Sequence, residues 1–180
     1  MFVRLASVLV AMCLVGVGSA HAAAIQISAA PGFALHDSDT QINGVCLNIW
    51  GRNPQKAAAL GFVNGSTGDS GGFSWSLYNY AENYSGVQWA FFNRTSNDFT
   101  GWQHGVVNYV GGNCQGLQWG FVNVAYSLKG LQLGAINYAT EIEEPGIQVG
   151  LVNIIRETDT WFRGVPKSVA PGMVFVNWRF

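Results

Sequence analysis

Apolar and polar residues alternate along most of the chain with a period of two residues. In one segment, Leu117, Trp119, Phe121 and Asn123 fall on one face of an extended chain, and Gln118 falls on the other. Alternation of this kind over eight or more residues is typical of a β-strand. The Trp, Phe, Val, Ile and Tyr residues of these segments also favour strands. Because no sustained helical periodicity follows residue 22, the sequence predicts an all-β fold.

The alternating segment is one copy of a repeat with the pattern Gly-Leu-Gln-x-Gly-x-x-Asn. Asparagine recurs at steps of 14 to 16 residues from Asn48 to Asn153, and in the later copies a Gln precedes it by five residues. The repeat-defining residues are Gln88, Gln103, Gln118, Gln132, Gln148, Asn93, Asn108, Asn123, Asn137 and Asn153. A fixed period indicates a repeat architecture, so we predict a single β-repeat domain over residues 23–180.

Two architectures fit one strand in every fifteen residues or so. The predicted fold is an antiparallel up-and-down meander that closes into a roughly ten-stranded barrel. The palindromic GLQLG core favours antiparallel pairing because it would place like side chains opposite one another, and the VGGN turn at 110–113 suits a hairpin. The alternative is a β-solenoid with coils of about 15 residues, in which Asn forms an internal ladder.

The barrel prediction places strands between short turns that contain Gly or Asn. These strands are 25–33, 42–50, 57–64, 72–80, 85–94, 99–109, 114–124, 128–138, 146–155 and 172–180. An even strand number and a length of about 9 to 11 residues are typical of outer-membrane barrels. The longest connection, 156–171, would then lie on the outer side, and the Gln side chains would form an internal hydrogen-bonded belt.

The first 22 residues have the pattern of a secretory signal peptide. Arg4 precedes an apolar run at 5–17, and Ala20 and Ala22 form an A-x-A cleavage site. The run is too short to span a bilayer as a helix. We therefore predict a signal peptide at 1–22 and export to the outer membrane or cell surface, with the periplasm or secretion as the alternative.

The composition adds a hint about the environment of the chain. Charged residues make up 11% of the 180 residues and aromatic residues 13%, which is low charge and high aromatic content for a soluble domain. This suggests a surface that partly faces something other than water. The net charge of −1 and the absence of a basic run argue against nucleic acid as a partner. Cys46 and Cys114 are interpreted as apolar strand residues in preference to a disulfide.

Residues with reactive or metal-binding side chains are few. His36, Asp37 and Asp39 could contribute to a metal site, but no second cluster accompanies them, and we interpret them as a solvated turn. His104 is interpreted as a variant on a strand face, and the acidic run at 141–144 as a solubilising turn. We therefore assign no catalytic, cofactor-binding or metal-binding residue, and we predict that the protein is not an enzyme.

The tryptophans allow a further interpretation. Their rings could stack on sugars, although the same rings could fill a core or contact a membrane, which is the interpretation we favour. The residues concerned are Trp75, Trp89, Trp102, Trp119 and Trp178.

The repeat, the NGVCLNIWGRN segment at 43–53 and the APGMVFVNWRF segment at 170–180 resemble a bacterial surface-repeat family over essentially the whole chain after the signal peptide. Ala59 and Ser74 depart from the motif where Gln is expected. The resemblance implies an exported, surface-associated protein without catalytic residues.

We therefore expect an outer-membrane or surface-exposed structural or interaction protein, with outer-membrane lipid or cell-surface components as partners and no cofactor. The alternative is a secreted β-solenoid that binds glycan or protein through a Trp-bearing face.

Overall fold

The computed structural model describes residues 22–156 and 172–179, which form an all-β fold of nine strands. The strands are β1 (Ala23–Ala30), β2 (Phe33–Ala34), β3 (Ile42–Asn53), β4 (Lys56–Trp75), β5 (Tyr78–Trp89), β6 (Phe92–Thr95), β7 (Phe99–Leu133), β8 (Ile136–Ile155) and β9 (Gly172–Arg179). The predicted signal peptide, apart from Ala22, and nearly all of the predicted loop at 156–171 lie outside the described residues. Among the described residues there is no helix long and apolar enough to cross a bilayer.

Successive copies of the repeat run in the same direction and stack in register. Gln88 pairs with Gln103 across β5 and β7, and Asn123 pairs with Asn137 across β7 and β8, both in parallel ladders. Because a tight hairpin cannot join parallel neighbours, each copy winds once around an axis and returns beside the previous copy. The fold is a β-solenoid of about eight coils. The predicted ten-stranded antiparallel barrel is therefore wrong, and the alternative prediction of a solenoid is confirmed.

The segments predicted as hairpin turns are corners of the coils. The VGGN segment at 110–113 lies inside β7, which runs unbroken through Phe99–Leu133. At this corner Gly112 N donates a hydrogen bond to Asn97 O of the preceding coil at 2.9 Å. The chain thus changes direction while it stays bonded to its neighbour. Since Gly and Asn suit corners and hairpins alike, their positions in the sequence did not distinguish the two folds.

A second corner lies between the Gln and the Asn of each copy and interrupts the alternation. The chain bends at residues 90–91 and 134–135, two to three positions before the repeat Asn. As a result Gln118 and Asn123 are both fully buried, whereas Trp119 and Phe121 are exposed. The prediction that Asn123 shares a face with Trp119 and Phe121 is wrong, because the bend shifts the alternation by one residue.

The Gly seven residues before each Asn forms a third corner. Gly116 has a φ of 131°, a backbone conformation that side chains disfavour. A Cβ at this position would also meet the backbone oxygen of Gly101 in the preceding coil. Gly86 and Gly130 show the same combination of positive φ and close backbone approach. These glycines let the coils turn sharply and still stack at strand spacing.

The interior of the coils has a polar side, formed by the Gln and Asn of the repeat, and an apolar side. The larger apolar cluster consists of Ala81, Tyr84, Phe99, Val110, Cys114, Ala125, Leu128, Ala139, Ile142 and Ile155. The rings of Tyr84 and Phe99 stack within it, with their centroids 6.4 Å apart. Packing of apolar side chains therefore accompanies the polar contacts inside the same coils.

Both ends of the stack carry an antiparallel strand. At the first end β2 pairs with β1, with Ser28 opposite Ala34. At the other end β9 pairs with β8, with Gly146 opposite Arg179, so the predicted strand at 172–180 is observed as Gly172–Arg179. Over 22–156 and 172–179, antiparallel pairing is confined to these two places. A reversed strand at each end interrupts the parallel stacking of repeats.

Candidate interaction surface

The five repeat Gln residues form one continuous ladder inside the coils. Each amide nitrogen donates to the amide oxygen of the Gln in the preceding coil, over distances of 2.7 to 2.9 Å from Gln148 back to Gln88. All five side chains are buried. A buried amide is costly unless it is hydrogen-bonded, and the stacking of identical residues satisfies this need.

The repeat Asn residues form a second ladder, in which the hydrogen bonds run the other way. Each amide nitrogen from Asn79 to Asn137 donates to the Asn of the following coil, over distances of 2.8 to 2.9 Å. The amide dipoles of the two ladders therefore oppose each other along the axis. Each ladder gains from alignment along its own length, while their fields partly cancel.

The two departures from the motif are accommodated by local substitutes. Ser74 stands where Gln is expected, and its hydroxyl donates to Asn79 Oδ1 at 2.6 Å and accepts from Asn64 Nδ2 at 3.0 Å. Ala59 offers its backbone oxygen to Asn64 Nδ2 at 3.1 Å. The polar interior thus continues into the early coils with different donors and acceptors.

Outside the coils, the residue after each repeat Gln position forms the first wall of a groove. These residues lie on successive coils and stack along the axis at about 4.8 Å, the spacing of neighbouring strands. The first wall consists of Leu60, Trp75, Trp89, His104 and Trp119. His104 lies between two indoles, with its ring centroid 5.0 Å from those of Trp89 and Trp119.

The residue two positions before each repeat Asn forms the second wall, at the corner of the coil. The second wall consists of Phe62, Leu77, Phe91, Val106 and Phe121. These side chains project from the corner, and Phe62 and Phe121 are 60% and 62% exposed. In the outer coils Ile49 lies beside Phe62, and Leu151 occupies the same position beyond Ala135; both Ile49 and Leu151 are exposed.

The floor between the walls is made of small residues, three positions before each repeat Asn. The floor consists of Gly61, Ser76, Ala90, Gly105 and Gly120. The first wall, the second wall and the floor enclose what we call the apolar groove, which has a volume of about 700 Å³. This volume lies in the range of pockets that hold small ligands.

The apolar groove offers few polar atoms to a ligand. Its lining contains no Lys, Arg, Asp or Glu. The Ser76 hydroxyl donates inward to Asn79 Oδ1 at 2.7 Å, and Nδ1 of His104 is buried. Since hydrogen-bonding groups give a pocket its specificity for polar ligands, this lining favours an apolar one.

Polar and acidic side chains lie at a different corner, four or five residues after the repeat Asn. This polar edge consists of Asp69, Asn83, Asp98 and Asn113. Asn83 Nδ2 donates to Asp69 Oδ1 at 2.9 Å, and Asn113 N donates to Asp98 Oδ1 at 2.8 Å. The solenoid is therefore amphipathic in cross-section, with the apolar groove and the polar edge on different corners.

The metal candidates lie in a turn at the first end of the solenoid. The backbone of His36 is bonded to the Gln26 side chain, and Asp37 O accepts from Asn53 Nδ2 at 2.7 Å. In the part of the chain that the structure describes, no group of three or more His, Cys, Asp or Glu side chains is placed to hold a metal ion. The backbones of His36 and Asp37 thus join this turn to the first coils.

Residues of the acidic run at 141–144 make contacts within the structure, and the two cysteines are buried. Glu143 accepts from Ser127 Oγ at 3.3 Å, and Glu144 lies 3.9 Å from Arg179 in a half-exposed ion pair. Cys46 and Cys114 are buried and unpaired with each other, as predicted. Burial raises the pKa of the Cys46 thiol to about 11 and that of Cys114 to about 12, so both thiols are poor nucleophiles at neutral pH.

Comparison with known protein families, curated proteins and solved structures finds no match to this chain. The resemblance to a surface-repeat family therefore stays a prediction. The apolar groove was not predicted from the sequence, although its floor leaves a signal there. Gly, Ala or Ser occupies the position three residues before Asn in seven successive copies, from Asn64 to Asn153, which indicates a place where a larger side chain does not fit.

Proposed function

We propose that the chain is an exported, non-enzymatic interaction protein that associates with the outer membrane or another lipid-rich component of the cell surface. Its outward apolar columns, meaning the two walls of the apolar groove and their continuation, would make the contact. The observation that carries this proposal is the separation of exposed apolar side chains from the polar edge. Large exposed apolar patches on a folded protein mark interaction sites.

The size of the exposed apolar surface makes such a contact favourable. A half-exposed Phe or Trp leaves on the order of 100 Å² outside the protein. Transfer of that area from water to hydrocarbon contributes about 2 to 3 kcal/mol. Trp75, Phe91, Trp119 and Phe121 each expose 50% or more of their surface, so a few such residues together offset the loss of freedom on association.

A second candidate is the binding of glycan or protein through the Trp-bearing face. It is supported by the aromatic cluster in which Trp102 and Trp119 lie nearly parallel, with centroids 6.4 Å apart, and in which Trp89 contacts His104. Aromatic rings of this kind can stack on sugars. The scarcity of polar atoms in the apolar groove favours the lipid partner over the glycan.

Flotation with lipid vesicles tests the proposal. The purified chain should rise through a density gradient with vesicles of phosphatidylethanolamine and phosphatidylglycerol, and in its native host it should be recovered in the outer-membrane fraction. The Phe91→Ser/Phe121→Ser double variant removes two exposed rings and should float several-fold less. Tyr126→Ser is the matched control, because Tyr126 is 49% exposed but does not line the apolar groove.

Two results would contradict the membrane proposal. One is a wild-type chain that stays at the bottom of the gradient with vesicles present. The other is an equal loss of flotation in the Tyr126→Ser control. Saturable binding of a β-1,4-linked N-acetylglucosamine hexamer by a chain that does not float would establish the glycan alternative.

A further inference from the structure

We infer that the apolar groove is a binding site for a single hydrocarbon chain, the acyl chain of one membrane lipid, which lies along the solenoid axis. The inference rests on the proposed function, since it specifies what the outward apolar surface takes up from a membrane. It concerns the apolar groove alone, whereas flotation depends on all of the outward apolar columns.

The length of the apolar groove suits an acyl chain. Its walls extend over five coils, from Leu60 in the first to Trp119 in the last. Four steps of about 4.8 Å give a length of about 19 Å between the outermost strands. The hydrocarbon core of a bilayer is about 30 Å thick, so the chains of one leaflet extend about 15 Å. One lipid chain therefore fits lengthwise within the apolar groove.

The uncharged lining of the apolar groove also suits a hydrocarbon chain. The absence of charged side chains from the walls and floor leaves a charged ligand without a counter-charge. The inward hydrogen bond of Ser76 and the buried Nδ1 of His104 leave few partners for hydroxyl groups. A methylene chain needs neither kind of partner, and it gains free energy from every wall residue that it covers.

The fourth of the five coils widens the apolar groove locally. In the first wall His104 replaces the Trp found on both neighbouring coils, and in the second wall Val106 replaces the Phe. Both replacements reduce side-chain volume at the same level of the stack, above the floor residue Gly105. The repeat pattern is thus interrupted on both walls at the same coil, which leaves more room for a bound chain there.

The test uses the full chain and lysophosphatidylcholines, single-chain lipids with one headgroup and acyl chains from octanoyl to icosanoyl. Binding is measured by equilibrium dialysis with radiolabelled lipid below the micelle concentration. We expect one lipid per protein, with an affinity that rises about two- to fourfold per added methylene. The rise should stop once the acyl chain is longer than the apolar groove.

The His104→Trp/Val106→Phe variant fills the fourth coil with residues that the adjacent coils already carry at the same positions, so folding should be retained. It should bind the hexadecanoyl lipid at least about tenfold more weakly, because two or more methylenes lose their contacts. It should still float with vesicles. Val122→Phe is the matched control, since Val122 does not line the apolar groove and the preceding coils carry Phe92 at the equivalent position.

Several results would overturn the inference. Binding by the filled variant at wild-type affinity would show that the lipid lies elsewhere, and non-saturating uptake of many lipids would show simple partition. Competition by the N-acetylglucosamine hexamer would assign the groove to a glycan. A dimer that the filled variant converts to a monomer would assign it to a second copy of the chain. Loss of flotation with lysolipid binding retained would contradict the proposed function and leave this inference standing.

Discussion

The inside and the outside of the coils use the same repeat in opposite ways. Inside, Gln118 and Asn123 are polar side chains with no exposed surface; outside, Trp119 and Phe121 are apolar side chains that are 50% and 62% exposed. Most soluble domains show the reverse distribution. The interior is therefore stabilised by stacked amide hydrogen bonds, and the proposed function gives the exposed rings a partner other than water.

The interior tolerates amides because a solenoid repeats them in register. Within each ladder, an amide that is not at the end has one neighbour above and one below, which supply the acceptor and the donor that it needs. Stacking does not bury the apolar side chains of the exterior in the same way, because a stacked column of rings still exposes its outer edges to solvent. The same periodicity therefore satisfies the polar ladders and at the same time builds a continuous apolar surface.

The largest loss of stability is expected from a substitution that forces neighbouring coils apart, because it disrupts both ladders at once. Gly116→Ala would force a side chain into a backbone with φ of 131° and against the oxygen of Gly101. We expect a loss of about 4 kcal/mol in the free energy of unfolding, measured by urea denaturation. Gly68→Ala is the control, because Gly68 has a φ of 59° but nothing within 4 Å of the added Cβ, and should cost only about 1 kcal/mol. Equal losses in the two variants would contradict tight stacking at Gly116.

Replacing one buried amide should cost more than removing one exposed ring. Gln118→Leu keeps the side-chain volume but removes the acceptor of Gln132 Nε2 and the donor to Gln103 Oε1. We expect a loss of about 3 kcal/mol in the free energy of unfolding, whereas Phe121→Ser should change it by less than about 1 kcal/mol. Urea denaturation of the two variants compares them directly, and a larger loss for Phe121→Ser would reverse the assignment of inside and outside.

A smaller effect is expected where the ladder is already irregular. Ser74→Ala removes the hydroxyl that links Asn64 to Asn79 and should lower the free energy of unfolding by about 1 to 2 kcal/mol. The amide of Asn64 keeps its bond to Ala59 O, which limits the loss. The midpoint of urea denaturation measures it, and an unchanged midpoint would show that this hydroxyl does not support the ladder.

A pH-dependent effect concerns the buried thiols at alkaline pH. Burial raises the pKa of Cys46 from 9.0 to about 11 and that of Cys114 from 9.0 to about 12. The folded state therefore holds both protons more tightly, and their contribution is complete below about pH 9 and declines as the pH rises above it. The free energy of unfolding should fall more steeply between about pH 9 and about pH 11 in the wild type than in Cys46→Ala/Cys114→Ala. Parallel pH profiles would show that the thiols titrate normally.

The strand content and the ladder positions could be predicted from the sequence, but the direction of the strands could not. Alternation around Gln118 is a local property that any strand shows. A palindromic motif such as GLQLG is compatible with parallel and antiparallel neighbours alike. Direction depends on whether the chain reverses at residues 110–113 or only turns a corner there, and Gly112 permits both.

The outward apolar surface was predicted in part. The alternation correctly placed Trp119 and Phe121 together, because both precede the point where the bend changes the parity. It misplaced Asn123, because the parity of burial changes between Phe121 and Asn123. The apolar groove arises only when coils stack and bring Trp89, His104 and Trp119 to the same wall, so it depends on contacts between residues about fifteen positions apart.

Quenching of tryptophan fluorescence by lipids with brominated acyl chains tests the contact between the outward walls and hydrocarbon most directly. A Trp161→Phe variant restricts the signal to the indoles of the described residues and leaves both walls unchanged. The account predicts strong quenching in vesicles of brominated lipid, little in unbrominated vesicles, and reduced access to aqueous acrylamide. Fluorescence that brominated lipid leaves unchanged, with acrylamide access undiminished, would contradict it.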